Sequence, residues 1–529
     1  MKRLLSFSCL FLLLTAFPFL EAAPAPIDPA TVAIIFNSNE KKSQALAVKY
    51  AQERNIPFSN LVPLDVPDQS TLSRTEFEQK VRDPLTGHFE REIWWSRARD
   101  GKGVKIPVKN KIRVLLLVKG VPYRIKREER SPGADGKVTP PAQGQQDEAS
   151  VDSELVYLGL SKHEISGPLN NPYFKQDKGI ADPTLTPLFF TCRLDGPSYE
   201  ICERIITDSL AAEETGLWGM CYLDEAHKGK NYEIGDQWLR AIARRNRKEG
   251  IPTVVDRFRD TMVTNYPMAG AALYFGWYAH HRNGPFLNQN FRFKKGAIAV
   301  HLHSFSAAQL ENVNKNWVAP LLSAGAAATV GNVWEPYLTG THHFDILHER
   351  LLQGYSLVEA AHMAIPVHSW QSLVIGDPLY RPFLVYNQPP AAAEDNKDYR
   401  AFRLGVQKWS LEPETLTVKL RSAAARMGSG PLYEALGLRL LEENKIVEAK
   451  AFFQAAGKVY PGSADKLRQT LHEINIHRVF GEKEAALGLI EEASERFGEI
   501  PEGKALIGLR NILHPPAPPA AQPKSGEKN

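Results

Sequence analysis

Short apolar runs alternate with helix-like stretches from residue 31 to about residue 383. The first unit is TVAIIFN, a polar break at Asn37 to Asn39, a helical stretch to Arg54, and a second apolar run, NIPFSNLVPLDV. This order predicts a right-handed βαβ unit. The alternation continues through KIRVLLLVKG, LFFTCRL, LWGMCYLDE, AALYFGWYA and GAIAVHL. Because these strands are apolar almost throughout, the pattern predicts an α/β domain over 30–385, with a mainly parallel sheet flanked by helices.

The pattern changes after Phe383. QPPAAAEDNKD has the composition of a linker, which we place at 386–412, and a helical region is expected over 413–512. One stretch there matches the 34-residue tetratricopeptide pattern. The matching positions are Tyr433, Leu436, Gly437, Ala449, Phe453, Ala456 and Pro461. A second hairpin at 465–497 fits poorly. About three repeats are needed to bury a solenoid core, so these helices are expected to dock on the α/β domain or to bind a protein or peptide partner.

Both ends of the chain have distinctive compositions. Residues 1–22 combine basic Lys2 and Arg3, an apolar stretch from Leu4 to Leu20 and a small residue at Ala22, which predicts a signal peptide. We therefore expect an exported protein, periplasmic or extracellular, with no transmembrane segment in the mature chain. The tail at 513–529 is rich in proline and charge, and disorder is expected there.

Charge and cysteine usage exclude some classes of function. The 64 basic and 60 acidic residues give a net charge of +4, which supplies no reason to infer a nucleic-acid partner. Three cysteines follow the signal peptide, Cys192, Cys202 and Cys221, each inside an apolar stretch. We interpret them as small buried hydrophobic residues rather than as a disulfide framework or a nucleophile.

Ionisable side chains recur where the predicted strands end. Ligands of open parallel sheets collect at the carboxyl ends of the strands, so these residues predict a cleft. They are Arg193 and Asp195 after LFFTC, Asp224 and Glu225 after LWGMCYL, Asp256 after IPTVV, His280 and His281 after FGWYA, His301 to Ser304 after GAIAV, and Glu335 after VGNVW. The alternative is that polarity begins at strand ends simply because loops begin there.

The stretch GAIAVHLHSFSA is the best candidate for chemistry. On a strand, His301 and His303 point to one face and Ser304 to the other. One histidine would act as a general base beside Ser304 or Ser306, oriented by Asp224 or Glu335. The pair could instead ligate zinc if His342, His343 or Asp345 supplied a third ligand. In a third interpretation the histidines hydrogen-bond loop carbonyls. The sequence leaves the three open, and no motif for an organic cofactor is found.

Three further residues are candidates for substrate binding: Arg193, Asp195 and His281. Arg193 and Asp195 form either an ion pair that fixes a turn or an anion clamp at the start of the next helix. The basic run from Arg240 to Lys248 is interpreted as a solvated helix face.

The order of the segments resembles an uncharacterised family of exported bacterial proteins that co-occurs with exosortase and PEP-CTERM sorting systems. The matching stretches are NIP, VKGVPYRI, DSEL, TCRLDGP, FGWYA, GAIAVHLHSFSA, AGAAATVGNVWEPYL and SWQSLVIGDPLYRPF. The chain is also distantly similar to the gingipain-type caspase-like fold. That resemblance implies a histidine after one strand, a cysteine after the next, and a closing Gly-Asp-Pro turn like Gly376-Asp377-Pro378. The thiol position falls within His303 to Ser306, where no cysteine occurs.

Two functions follow from these observations. One is a hydrolase of the cell envelope, peptidase-like, whose cleft lacks a cysteine nucleophile, or a metal-dependent hydrolase at the HxH strand end. The other is a catalytically inactive binding or scaffold protein. Cysteine-peptidase activity is not expected, because serine in place of a thiol needs its own base and oxyanion hole.

Overall fold

The fold is described by a computed structural model that covers residues 23–128, 142, 144–160, 167–180, 188–387 and 396–516. The signal peptide predicted at 1–22, most of the tail predicted at 513–529, and residues 388–395 of the predicted linker lie outside this part of the chain.

The chain alternates strands and helices up to residue 375 and is helical after residue 396. The strands are β1 Val32–Asn37, β2 Leu61–Leu64, β3 Thr71–Leu72, β4 Trp95–Arg99, β5 Lys105–Asn110, β6 Val114–Val118, β7 Arg124–Ile125, β8 Ala149–Ser150, β9 Leu169–Asn170, β10 Phe190–Leu194, β11 Met220–Asp224, β12 Thr253–Asp256, β13 Ala271–Gly276, β14 Ile298–His301, β15 Thr329–Asn332, β16 Val367–His368 and β17 Ser372–Ile375. The helices are α1 Lys41–Glu53, α2 Arg74–Phe77, α3 Asp83–Arg91, α4 Val151–Leu155, α5 Tyr199–Thr215, α6 Glu233–Glu249, α7 Val318–Ser323, α8 Phe344–Leu352, α9 Leu357–Ala364, α10 Lys397–Trp409, α11 Pro413–Met427, α12 Gly430–Glu442, α13 Ile446–Val459, α14 Ser463–Val479, α15 Lys483–Phe497 and α16 Lys504–Leu513.

A six-stranded sheet has the order β15-β17-β10-β6-β1-β2. Strands β2, β1, β6 and β10 are parallel neighbours, and β1, α1 and β2 form the predicted βαβ unit. Successive residues of β1 enter two different cores, Val32 and Ile34 on one face and Ala33 and Ile35 on the other. Burial on both faces explains why these strands are apolar almost throughout.

A second sheet has four parallel strands in the order β12-β11-β13-β14. It continues into the first sheet at β15, because the Ala299 N–H donates to the Ala328 carbonyl and the Ala327 N–H donates to the Ala297 carbonyl. Strand β15 then pairs with β17 in antiparallel orientation. The prediction of an α/β domain with a mainly parallel sheet is therefore confirmed.

Helices α10 to α16 form a helical region that packs on one face of the four-stranded sheet. Tyr222 of β11 and Tyr274 of β13 belong to the same buried core as Leu436 and Phe453 of the helices. Of the two expectations for this region, docking on the α/β domain is the one observed. One part of the linker assignment is wrong: within 386–412, residues Lys397–Trp409 form helix α10, whose Phe402 and Val406 face that core.

A buried ion pair strengthens the attachment of the helical region. The Arg468 guanidinium donates to both carboxylate oxygens of Glu434, at 2.7 Å each, and to the Pro267 carbonyl of the α/β domain at 3.4 Å. The nearby positive charge outweighs burial, so the pKa of Glu434 is held below its ordinary value. Both residues are nearly inaccessible to solvent, so neither charge has water as an alternative partner.

The loops after three strands meet at one edge of the joined sheets. Arg124, in the short strand β7 that follows β6, donates to the Ala308 carbonyl after β14 at 2.9 Å. The Trp334 indole after β15 donates to the Ile125 carbonyl at 3.2 Å. These contacts bring together the segments that carry the candidate residues.

Candidate functional site

An open cleft lies beyond the ends of β13, β14 and β15. It has a volume of about 300 Å³ and combines aromatic walls with a small polar centre. The lining residues are Asn231, Tyr232, Trp277, Tyr278, Leu302, His303, Ser304, Glu335, Pro336, Tyr337, Leu338, Thr339 and Thr341. The prediction that a cleft forms at these strand ends thus has a counterpart in the structure, with three of the candidate residues in its lining.

Ser304 and Glu335 meet because the chain after β14 is bonded to the end of β15. Phe305 has φ 60° and donates its N–H to the Trp334 carbonyl, and the Ser306 hydroxyl accepts from the Asn332 N–H. This holds the Ser304 hydroxyl against Glu335, to which it donates a hydrogen bond of 2.6 Å. The pair is partly exposed to the cleft.

His303 lines the same cleft but does not contact the Ser304 hydroxyl. Its Nδ1 lies 2.5 Å from the Ser304 carbonyl oxygen, so Nδ1–H donates to the backbone. Its ring packs against Tyr278 and His280, with centroids 4.6 and 4.8 Å away. Burial lowers the pKa of His303, and the hydrogen bond to the Ser304 carbonyl opposes that shift only partly. The expected catalytic arrangement, a histidine base on Ser304, is not formed.

His301 lies behind the cleft, in the interior. Its Nε2 accepts from the Ala279 N–H at 3.1 Å, so Nδ1–H donates to the Tyr274 hydroxyl at 2.9 Å. The ring is stacked on Trp317 with centroids 3.5 Å apart. Burial, together with nearby His303, holds the pKa of His301 well below its ordinary value. The expectation that His301 and His303 share one face is wrong, because β14 ends at His301.

Asp224 belongs to the same interior group. Its carboxylate accepts from the Met262 N–H at 3.2 Å and from the Tyr274 hydroxyl at 3.4 Å. Burial and the neighbouring Asp256 raise the pKa of Asp224. Asp224 therefore supports Tyr274 and His301, and the prediction that it orients a catalytic histidine is wrong. Of the two carboxylates considered, Glu335 is the one at the cleft.

The zinc alternative does not fit the geometry. Both ring nitrogens of His301 are engaged, and His342 lines a separate buried cavity with His362 and His368. Within the described ranges, the one group of side chains with metal-like spacing is Glu225, His227 and Asp236. Glu225 accepts from Arg240 at 2.8 Å, and Asp236 accepts from the Trp277 indole at 2.7 Å. Protein donors already occupy both oxygens of Asp236 and Oε2 of Glu225, whereas the buried Oε1 of Glu225 has no hydrogen-bond partner among the described residues.

Arg193 and Asp195 lie outside the cleft and form a buried ion cluster. Arg193 donates to Asp152 at 2.6 Å, to Asp195 at 3.4 Å and to the Val121 carbonyl at 2.7 Å. Because the guanidinium is 0% exposed and faces these acceptors, the ion-pair interpretation is correct and the anion clamp is not. The substrate-binding role predicted for Arg193 and Asp195 is therefore wrong. His281 is exposed near the cleft, and its Nδ1 accepts from the Asn316 N–H at 3.1 Å.

The three cysteines are free and buried. Burial raises the pKa of each thiol, which keeps it protonated. None lines the cleft. The interpretation as small buried hydrophobic residues is confirmed.

The aromatic walls of the cleft were not predicted. Tyr278 lies in FGWYA, Tyr232 precedes α6 and Tyr337 lies two residues after Glu335, so the three come from separate segments. Tyr232 and Tyr278 have ring centroids 5.7 Å apart. The only signal was the aromatic content of FGWYA and WEPYL, which an ordinary core strand also displays.

Comparison with models of known protein families gives no match, and a search of curated proteins gives no significant match either. Over the described part of the chain, no helix has both the length and the apolar character required to span a bilayer.

Proposed function

We propose that this chain is an exported protein of the cell envelope that binds a peptide or a glycan in the cleft beside Ser304 and Glu335 without cleaving it. The carrying observation is the orientation of His303, which donates to a backbone carbonyl and leaves Ser304 without an imidazole base. Serine is a poor nucleophile unless such a base is in contact with it. The cleft nevertheless offers what recognition needs, namely aromatic walls and a few convergent polar groups.

The walls suit a ligand with both apolar and hydroxyl or amide groups. Tyr232, Tyr278 and Tyr337 offer ring faces and hydroxyls, while Glu335 accepts and Asn231 both donates and accepts. A volume of about 300 Å³ accommodates one or two residues of a polymer rather than a folded partner. Residues of a peptide or sugar chain would therefore enter the cleft while the rest of the polymer remains outside.

A second candidate is a serine hydrolase, supported by the short hydrogen bond from Ser304 to Glu335. In this scheme the Glu335 carboxylate accepts the hydroxyl proton as Ser304 attacks a carbonyl carbon, and it returns that proton to the amine or alcohol that leaves as the scissile bond breaks. Water then hydrolyses the acyl-serine. His303 contributes no proton transfer and fixes the Ser304 backbone. Such an enzyme would be independent of thiols.

The caspase-like assignment and the family resemblance are part of the proposal. They are supported by the adjacency of β13 and β14, which run parallel, and by His280 after β13 lying next to His303 after β14. In a gingipain-type arrangement these are the positions of the catalytic histidine and cysteine. Here the second position holds His303 and Ser304, which fits an inactive relative.

The tetratricopeptide-like assignment and a protein or peptide partner are also proposed. Helices α12 and α13 pack closely, with Gly437 lying directly under the Phe453 ring. The far end of the α13–α14 pair is apolar and exposed, with Val447 80%, Val479 64% and Phe480 55% accessible. Lys450 of α13 contacts His477 of α14, which places these three residues at the same end of the pair. A partner would bind there.

The binding proposal is tested with arrays of peptides and glycans probed with the full chain. Tyr232→Ala and Glu335→Gln should each weaken binding of any captured ligand by at least about tenfold, the usual effect of removing an anchoring contact. Phe58→Ala is the control, because it removes an aromatic ring that lies outside the cleft and is 57% exposed, against 38% for Tyr232. A captured ligand that is insensitive to both cleft variants would contradict the proposal.

The hydrolase alternative is tested on the same ligands by following product formation. Ser304→Ala and Glu335→Gln should each lower the rate at least ~100-fold if they are nucleophile and base, and His303→Ala should do so only if the histidine reorients. An alkylating agent should leave the rate unchanged. Cleavage that persists in Ser304→Ala would exclude this chemistry.

A further inference from the structure

A second cleft lies between the α/β domain and the helical region. It is formed by α6, by the residues at the end of β12 and by α12, and its volume is about 280 Å³. The lining residues are Glu225, Arg240, Ala243, Arg244, Arg247, Val255, Arg257 and Glu442. None of these lines the aromatic cleft. Four arginines and two glutamates therefore face one concave space, with a net charge of +2 when all are ionised.

The four arginines are not equivalent. Arg240 is committed to Glu225 at 2.8 Å and to Glu233 at 2.6 Å, and Arg247 pairs with Glu443 at 3.0 Å. Arg244 and Arg257 are exposed and make no hydrogen bond or salt bridge to any residue that the structure describes. The guanidinium groups of Arg244 and Arg257 lie on different elements and line the same cleft, and their N–H donors have no acceptor among the described residues.

Glu442 does not neutralise them. It forms no salt bridge within the described part of the chain. Burial raises the pKa of Glu442 to about 7, against the influence of Arg247, Arg257 and Arg439 and with that of Glu443. The Glu442 carboxyl therefore gives up its proton less readily than an exposed glutamate, which favours a positive charge in the cleft. Like charges gathered in a concave, partly desolvated space concentrate the field and favour an anion.

We propose that this cleft binds a doubly charged phosphoryl group, which bridges Arg244 of α6 and Arg257 after β12 beside α12 of the helical region. Guanidinium groups match phosphate oxygens with paired donors and strong charge-assisted hydrogen bonds. The cleft admits free phosphate or a small organic monoester. This site is separate from the aromatic cleft beside Ser304 and Glu335, and the proposal does not depend on the function proposed for the aromatic cleft.

The test is calorimetric titration of the full chain with inorganic phosphate at low ionic strength, where charge interactions are least screened. Arg244→Gln and Arg257→Gln should each weaken binding at least about tenfold, as expected for the loss of one hydrogen bond to a charged group. Arg259→Gln removes an exposed charge from the same segment as Arg257 without touching the cleft, and should change affinity less than about threefold.

A second arm identifies the source of the group. Glycerol phosphate that binds as tightly as inorganic phosphate indicates a monoester ligand, whereas much weaker binding indicates the free anion, and either result supports the site. Equal weakening by all three variants would show diffuse surface charge and overturn the proposal. Phosphate that binds no better than chloride at the same ionic strength would overturn it as well. Because Arg244 and Arg257 make no hydrogen bond or salt bridge to the described residues, the variants should melt as the parent chain does, and unchanged melting confirms that folding is intact.

Discussion

His301 and His303 stand two residues apart at the end of β14, yet they belong to two different regions of the molecule. His301 lies in the interior, where both ring nitrogens have protein partners and the ring is stacked on Trp317. His303 lies at the cleft beside the Ser304–Glu335 pair. The difference teaches that polarity at a strand end has two uses. One satisfies buried backbone and hydroxyl groups, and the other presents groups to a ligand.

The same division applies to the other candidates. Asp224 and Arg193 are in the interior and are saturated by protein partners, whereas Glu335 is at the cleft and bonds a single hydroxyl that is itself accessible. A buried polar group that loses its partner costs free energy, so substitution of the interior residues should lower the stability of the fold. Substitution of the residues at the cleft should instead weaken ligand binding. Four predictions separate the two.

The largest expected effect is in the interior at Arg193. Arg193→Met leaves Asp152 buried without its cation and Asp195 with Lys119 alone, which should lower the free energy of unfolding by about 3–5 kcal/mol. The measurement is urea unfolding of the full chain. Lys49→Met is the matched control, because its ion pair with Glu203 is exposed and should contribute less than about 1 kcal/mol. If the two substitutions lowered the unfolding free energy equally, the ion pairs of Arg193 would not be needed for the stability of the fold.

Acid should destabilise the interior next. Burial lowers the pKa of the five most deeply buried histidines of the described chain below the ordinary value of 6.5, to about 3 for His342 and His348 and to about 4 for His362. They are His301, His342, His348, His362 and His368. The unfolded chain therefore binds protons that the folded chain does not, and stability is lost as pH falls below about 6.5.

Some buried carboxyls oppose this loss, because Asp224, Asp256 and Glu442 have raised pKa values and take up protons in the folded state. A net uptake of about two protons on unfolding corresponds to about 3 kcal/mol between pH 6 and pH 5. Urea midpoints at these two pH values measure it. His342→Leu removes a ring whose nitrogens have no hydrogen-bond partner among the described residues, and it should reduce the slope by about one proton. A midpoint that is constant over this range would show that the buried rings are not held neutral.

His301→Phe should have an intermediate effect. Phenylalanine preserves the stacking on Trp317 but leaves the Tyr274 hydroxyl and the Ala279 N–H without their partner, at a cost of about 1–3 kcal/mol. Chemical unfolding measures the loss, and ligand binding at the cleft should be unchanged in the folded variant. Full stability combined with lost binding would place His301 in the functional region after all.

The smallest effect on stability is expected at Ser304. Ser304→Ala removes one partly exposed hydrogen bond to Glu335, and the unfolding free energy should change by no more than about 0.5 kcal/mol. Ligand binding should fall in the same variant, which reverses the result expected for His301→Phe. A loss of several kcal/mol from Ser304→Ala would mean that the pair is structural and that the cleft has no polar recognition centre.

The α/β class could be predicted because it depends on local pattern. VLLLV of β6 and the IAV that begins β14 are apolar on both faces, and only a sheet covered on both sides accepts such strands. The junction of the two sheets at Ala297 to Ala328 left no such mark, since it rests on a few backbone hydrogen bonds between distant segments. The linker prediction included helix α10 because the proline-rich segment before the helix has the composition of a linker, and the amphipathic pattern of α10 was not separated from it.

The candidate site could be predicted in part for the same reason. GAIAVHLHSFSA marks a strand end with polar residues, and Ser304 and Glu335 fall at neighbouring strand ends, so their proximity follows from the order of β14 and β15. The ring orientation of His303 does not follow from the strand order, because it depends on the path of the three residues after the strand. The tyrosines of the walls come from segments that only the complete fold brings together.

By itself the sequence determined the strand and helix pattern, the positions where polar side chains follow strands, and the burial of the three cysteines. Each depends on local spacing of apolar and polar residues. Tertiary structure alone decided which polar residues are saturated and which are accessible, because partners such as Tyr274 for His301 and Asp152 for Arg193 lie on other elements. Tertiary structure alone also decided the second cleft, the one that Arg244 and Arg257 line, because α6 and α12 meet only after the helical region has docked.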